Sequence, residues 1–299
     1  MANSLINGSQ LATAMIGGLV DAGVLTNIVY KDPAFDGIAG RGDTVNVRRL
    51  GVQTAANFGG TASQTDLAEV NIAVTLNHQP YVQSLVSSKE AGFNVEDFYA
   101  QVIAPGVGGV AEYLDAQVAA KLRTSTTTPV TGATARATII AAGKALDDAK
   151  VPASDRYFAA SPAFKEILLN EDWVTADKVG DGGMALRDAV IGRAFGFTVV
   201  HSTHIADRDL DNADADADEA TGTQEPVGYG FHRSGLIMAS RMPNPPQGGA
   251  DAATAAAYGM GVRVVYGWDN SKLSDVVTVD TLAGFAISEQ ARIAPAYIV

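Results

Sequence analysis

Two short runs of alternating residues, TVNVRRL at 44–50 and VNIAVTL at 70–76, stand on either side of a long connector without helical periodicity. Alternation puts Val45, Val47 and Arg49 on one face and Asn46, Arg48 and Leu50 on the other. In the second run Val70, Ile72, Val74 and Leu76 share a face. Two strands with no helix between them predict an antiparallel ribbon. The connector, GVQTAANFGGTASQTDLAE at 51–69, far exceeds the about 2 to 5 residues of an ordinary hairpin loop. At about 3.3 Å per residue, half of the segment 43–77 reaches roughly 50 Å. A compact chain of 299 residues has a radius of gyration of about 19 Å. Such a ribbon is long enough to overhang its own body. Because an isolated two-stranded ribbon is marginal in water, it must rest on its own core or on another protein.

Composition narrows the choice of partner. With 47% hydrophobic residues the chain buries a substantial core without staples. Cysteine is absent, which excludes disulfides, thiolate metal sites and cysteine nucleophiles. Lys and Arg total 21 against 33 Asp and Glu, a net charge of −12, so groove-reading recognition of nucleic acid is not expected. No apolar run approaches the roughly 20 residues that span a bilayer, and no membrane partner is expected. The opening MANSLINGSQ lacks the basic and apolar pattern of a signal peptide, which makes the cytoplasm the default compartment.

Residues 9–25, SQLATAMIGGLVDAGVL, align Leu11, Met15, Ile16, Leu19 and Val20 on one helical stripe, with Ser9 available as N-cap. That stripe suits the chain's own core and a neighbouring subunit equally. The longest helical signal is VEDFYAQVIAPGVGGVAEYLDAQVAAKLR at 95–123. Phe98, Val102, Val110, Leu114, Val118 and Leu122 form its apolar stripe; Glu96 and Asp97 suit the first turn, Lys121 and Arg123 the last. Pro105, Gly106, Gly108 and Gly109 predict a kink or break.

Beyond a turn-rich stretch the pattern alternates in type, as in an α+β or α/β subdomain. It reads helix at 133–149, strand RYFAAS, helix PAFKEILLN capped by Ser161 with Pro162 leading, helix MALRDAVIGRAFG, and strand FTVVHST. The acidic low-complexity tract at 207–225 reads as an exposed loop. GYGFHRSGLIMASRM is a strand or a buried helix, and PNPPQGGADAATAAAYG a loop. The segment 261–287 predicts two strands joined by a turn at DNSK, then a short last strand.

Enzyme signatures are sparse. Phosphate-loop, HExxH and GxSxG patterns are missing. Gly228, Gly230 and Gly235 lack the third glycine of a dinucleotide loop, and no cofactor is expected. His201 and His204 lie near carboxylates, but an odd offset after a strand separates their rings. Asp207, Asp209, Asp211 and Asp218 match part of a calcium loop, yet Asn212 stands where glycine belongs and no bidentate Glu closes it.

The order of parts resembles the HK97-fold major capsid proteins of tailed bacteriophages, most closely the P22 coat protein family. The residues that carry this are GDTVNVRRL, the helix with AEYLDAQVAAKL, and IGRAFGFTVVHSTHI. The resemblance implies an α+β fold with an N-terminal arm at 1–42, an E-loop at 43–78 and a P-domain with spine helix at 79–123. An A-domain at 124–260 carries the acidic loop 206–225, and C-terminal P-domain strands follow at 261–299. It implies a non-enzymatic coat subunit that forms hexamers and pentamers and closes an icosahedral shell around phage double-stranded DNA in the bacterial cytoplasm. Arg48, Arg49, Phe58, Asp66 and Glu69 of the E-loop are the expected intersubunit contacts.

Some members of that fold cross-link an E-loop lysine, but residues 43–78 contain none. Noncovalent overlap or decoration proteins must then supply the stability. An arm beginning at Met1 implies a separate scaffolding protein, and a portal is expected as a further partner. An acidic interior would leave packaged DNA free to slide. A protein-storing compartment of the encapsulin kind is the alternative; a divalent-metal enzyme or surface protein centred on His201 and the acidic tract is a third reading.

Overall fold

The computed structural model describes residues 15–20, 22–31, 43–50, 55, 57, 69–87, 104–171, 192–206, 208–209, 224–246 and 251–299. At its centre lies a six-stranded sheet in the order β5-β17-β11-β6-β8-β7. These strands are β5 (Val130–Gly132), β6 (Arg156–Ala160), β7 (Arg193–Ala194), β8 (Phe197–His201), β11 (Val227–His232) and β17 (Ile293–Ile298). β6, β11 and β17 are buried on both faces, so each reads as a continuous run rather than an alternation.

On one face of this sheet sit the helices Ala135–Asp148 and Pro162–Asn170. Their core joins Ile139, Ala142, Leu146, Phe164 and Leu168 to Phe158 and Phe197. Thr134 and Ser161 cap the two helices by accepting the N–H groups of Ala137 and Phe164, as the cap at Ser161 predicts. The glycines of GYGF serve this packing. A Cβ on Gly228 would stand 2.2 Å from the Phe158 ring, and one on Gly230 would stand 3.1 Å from Ala142.

The opposite face looks into the main core. There the long helix Ala104–Arg123 buries Val110, Leu114, Val118 and Leu122, as the sequence stripe predicts. Met15, Ile16 and Leu19 join the same core with Val20 beside them, so the described part of the early stripe packs on its own chain; Ser9 and Leu11 lie outside the described residues. The helix Leu25–Ile28 follows it. The expected break in the long helix is absent from Ala104 onward. Gly106 and Gly109 let the helix approach Val82 closely. The portion expected at 95–103 lies outside the described residues.

Val82 belongs to a four-stranded sheet, β13-β14-β15-β4, made of β4 (Tyr81–Ser87), β13 (Asp251–Ala257), β14 (Met260–Asp269) and β15 (Ser274–Asp280). Its inner face gives Val264, Val277 and Val279 to the helix, while Tyr81 and Leu85 on the outer face are exposed. The turn at DNSK forms as predicted, with Asp269 Oδ1 accepting the Ser271 N–H at 2.8 Å.

Two expectations are corrected. PNPPQGGADAATAAAYG is not all loop. Its second half is β13, which the alanine-rich composition conceals and pairing with β14 supplies. The hairpin turns on Tyr258 and Gly259, both at positive φ. The end of the expected helix MALRDAVIGRAFG is β7, which turns through Phe195 and Gly196 into β8. Residues 184–191 of that call lie outside the described residues.

A three-stranded sheet, β1-β12-β16, completes the body, with β1 (Tyr30–Lys31), β12 (Leu236–Arg241) and β16 (Leu282–Ile287). β12 turns Leu236 and Met238 to the main core and Ile237 and Ala239 to its other face. The strands of segment 261–299 enter three sheets. β14 and β15 enter the four-stranded sheet, β16 the three-stranded sheet and β17 the six-stranded sheet. The acidic tract is described at its base, where β9 (Arg208–Asp209) pairs with β10 (Gln224–Glu225); Asp207, Asp211, Asn212 and Asp218 lie outside the described residues.

Candidate intersubunit interface

The predicted ribbon is present. β2 (Thr44–Leu50) and β3 (Glu69–Thr75) pair antiparallel from Thr44 opposite Thr75 to Leu50 opposite Glu69. Its apolar face lies on the three-stranded sheet, where Val47 and Val74 bury against Ile237 and Ala239, flanked by Val45, Ile72, Leu76 and Ala286. Burying Val47, Val74 and Ile237 stabilises this seat by about 1.5 to 3 kcal/mol each. At the exit, His78 and Ala283 exchange backbone hydrogen bonds of 3.1 and 2.9 Å. Gly284 lies so close to the ribbon that a Cβ there would stand 2.3 Å from the Thr75 carbonyl oxygen.

Of the two supports left open by the sequence, the stem of the ribbon thus uses its own chain. That support ends along the strand. Val70 lies on the same face as Ile72 and Val74 but is 42% exposed, while Val74 is fully buried.

Arg49 has a partner within its own chain. It forms an ion pair with Glu289 of its own chain, and Arg292 Nε donates to the same carboxylate oxygen at 2.7 Å. Arg292 Nη1 donates to Ser234 Oγ at 2.6 Å, and the Ser234 N–H donates to His232 Nδ1 at 3.1 Å. Burial pushes the Glu289 carboxyl up, but the hydrogen bonds and charges of Arg292 and Arg49 outweigh it and hold the group below its ordinary value. Burial, with Arg292 and Arg156 beside it and Asp155 opposing, pushes His232 down. The ribbon is thereby tied to the body by charge as well as by its apolar face.

Arg48 and Glu69 are exposed on the outer face of the stem. Phe58 and Asp66 lie outside the described residues. Beside the stem is a cleft of about 320 Å³ lined by Val47, Arg48, Arg49, Tyr30, Ile237 and Arg292, among others. The sequence gives no sign of Glu289 as a ribbon anchor, since it lies 240 positions from Arg49. Among the described residues no three His, Asp or Glu side chains converge as a metal site. Burial and Lys165 push His201 down.

A second buried constellation was not legible in the sequence. Asp115, in the middle of the long helix, is 4% exposed. Its Oδ2 accepts the N–H groups of Val24 and Leu25 at 2.7 and 3.2 Å, and its Oδ1 accepts the Thr26 N–H at 2.7 Å and the Thr26 hydroxyl. One carboxylate thus caps the helix Leu25–Ile28 and fixes the N-terminal region to the helix that runs through the core.

No protein-family model matches the chain, and no curated protein matches it in sequence. Solved structures do match. A chain from Mycobacterium phage Che8 is 18% identical with a TM-score of 0.64, over 91% of this chain and 90% of that one. A chain from the capsid of the cyanophage P-SCSP1u is 13% identical with a TM-score of 0.64, over 92% and 88%. The fold is HK97-like. The virus-like particle from Pyrococcus furiosus shares it at 11% identity and a TM-score of 0.50, over 95% and 97%.

Proposed function

We propose that this chain is the major capsid protein of a tailed bacteriophage, a non-enzymatic subunit that closes an icosahedral shell around double-stranded DNA. The observation that carries the reading is the HK97-like fold shared with phage structures over nine-tenths of both chains. The TM-scores of 0.64 to the two phage chains support a phage shell. Within the class, the stem GDTVNVRRL and the segment IGRAFGFTVVHSTHI support a place near the P22 coat protein family.

In this reading the six-stranded sheet and its two helices form the A-domain, and the four-stranded sheet with the long helix forms the P-domain. β2 and β3 are the stem of an E-loop whose distal part, including Phe58 and Asp66, rests on a neighbour in a hexamer or pentamer. Arg48 and Glu69 contact that neighbour, while Arg49 anchors the stem. A scaffolding protein, a portal and decoration proteins are the further partners, and assembly takes place in the host cytoplasm.

Electron microscopy of the expressed protein, alone and with a scaffold, tests the reading. Closed icosahedral particles are expected. A protein that stays monomeric under both conditions overturns it, and particles filled with protein cargo shift it to the storage compartment.

A further inference from the structure

The line of hydrogen bonds that anchors the ribbon stem ends on a histidine. Arg49 of β2 and Arg292, in the turn Gln290–Arg292, share one oxygen of Glu289. Arg292 Nη1 reaches on to Ser234 Oγ at 2.6 Å, and that oxygen lies 2.8 Å from Nδ1 of His232, the last residue of β11. The Ser234 N–H meets the same nitrogen at 3.1 Å. A backbone N–H only donates, so Nδ1 accepts and the neutral ring carries its proton on Nε2. One ring nitrogen thus caps the turn Arg233–Gly235 and closes the line to the ribbon. The charged groups around the ring are Arg292, Asp155 and Arg156, the last already paired with Asp147. Burial and the two arginines hold the ring neutral against the pull of Asp155.

We propose that His232 is a proton-sensitive release for the ribbon: a proton on Nδ1 breaks the line through Ser234 and Arg292 and lets the stem lift from the three-stranded sheet while the six-stranded sheet stays intact. The device lies within one chain and does not depend on the shell reading. A protonated Nδ1 turns a donor toward the Ser234 N–H, which loses its acceptor, and the turn Arg233–Gly235 opens. The new cation also repels Arg292. Driven off Ser234, Arg292 closes on Glu289 with both arms of its fork, the geometry a carboxylate prefers. Arg49 then loses its counter-charge. Its hold is the weaker one, since it reaches Glu289 through Nη1 while its buried Nε has no acceptor. What remains beneath the stem is the small seat of Val47 and Val74 on Ile237 and Ala239, too little to fix a two-stranded ribbon firmly.

The chain has no cysteine, so one thiol placed under the ribbon reports its release. Ala239→Cys puts it beneath Val47 and Val74, and Ala160→Cys, in β6, serves as the reference. The reaction rate of each thiol with a dithiodipyridine is divided by its rate in the unfolded chain at the same pH. From about pH 7.5 to about pH 5.5 the ratio under the ribbon should rise about tenfold and the reference should stay level. Glu289, held below its ordinary value, stays ionised over this range. His232→Asn, whose Oδ1 still accepts the Ser234 N–H but takes up no proton, should abolish the rise. His78→Phe, at the exit of the ribbon, should keep it. A ratio that does not change with pH, that rises equally in β6, or that still rises in His232→Asn overturns the proposal and leaves the shell reading standing. Hydrogen exchange of wild type and His232→Asn, with each amide referred to its unfolded rate at the same pH, makes the same test without a substitution under the ribbon. Protection of β2 and β3 lost in acid by the wild type alone supports the release, and equal loss in both chains overturns it.

Discussion

The fold depends on a few charged side chains whose partners lie far away in sequence. Asp115 is the clearest case, because both of its oxygens are occupied by donors from residues 24–26. Asp115→Ala should lower the unfolding free energy of the subunit by about 3 kcal/mol, measured in denaturant, since it leaves buried N–H groups unmatched. Asp115→Asn should cost nearly as much, as its NH₂ would face donors. Acid should loosen the fold in two steps. His78, His201 and His232 are all pushed down, chiefly by burial, so each is held neutral in the fold and takes up a proton more readily when unfolded. Their contribution is complete above about pH 6.5 and is lost as the pH falls. His78→Phe keeps an aromatic ring beside Tyr113 and Phe285 but cannot be protonated, and should flatten part of that decline. Glu289 acts lower. Its contribution is present above about pH 4.3 and lost below it, and Glu289→Gln should remove this second step.

Among the elements, the ribbon is joined to the body through contacts that tolerate little change. Gly284→Val places side-chain atoms where the Thr75 carbonyl already stands, so β3 must lift from β16. The cost should be about 1 to 3 kcal/mol. Hydrogen exchange should show faster exchange in β2 and β3 with the six-stranded sheet unaffected, whereas uniform loss of protection would mean that ribbon and body unfold together. The ribbon, its two faces, the stripe of the long helix, the helix PAFKEILLN with its cap and the turn at DNSK were all legible in the sequence. Their signals are local: a period, a cap, a turn residue. β13 was not, because alanines carry no alternation and its strand form comes from β14. The glycines of the long helix misled for a related reason. They mark a close approach to Val82, and a sequence does not show which neighbour needs the space.

For the whole molecule, the distinction that matters is between the stem of the ribbon and what lies beyond it. The Leu76 N–H donates to the Asp43 carbonyl, so hydrogen-bonded pairs fall at every second position along the stem and include Arg49 opposite Val70, between which a two-residue type I′ turn can close it. Replacing residues 50–69 by Asn-Gly should leave a folded monomer with no ability to form shells. Particles of normal size from this variant would contradict the assigned role of the loop. The anchor formed by Arg49, Glu289 and Arg292 and the seat of Val47 and Val74 predict that the stem stays ordered in such a monomer.

Periodicity and punctuation along the chain were enough to determine the ribbon, the helices, most strands and the lack of lysine in the loop, since each depends on neighbours within a few residues. Which support the stem uses, that Arg49 is answered by Glu289, that Asp115 caps a helix about 90 residues away, and that the C-terminal strands divide among three sheets were decided by tertiary structure. Those contacts join positions whose separation along the chain carries no pattern. Burial and charge pairing select them only after the sheets have come together.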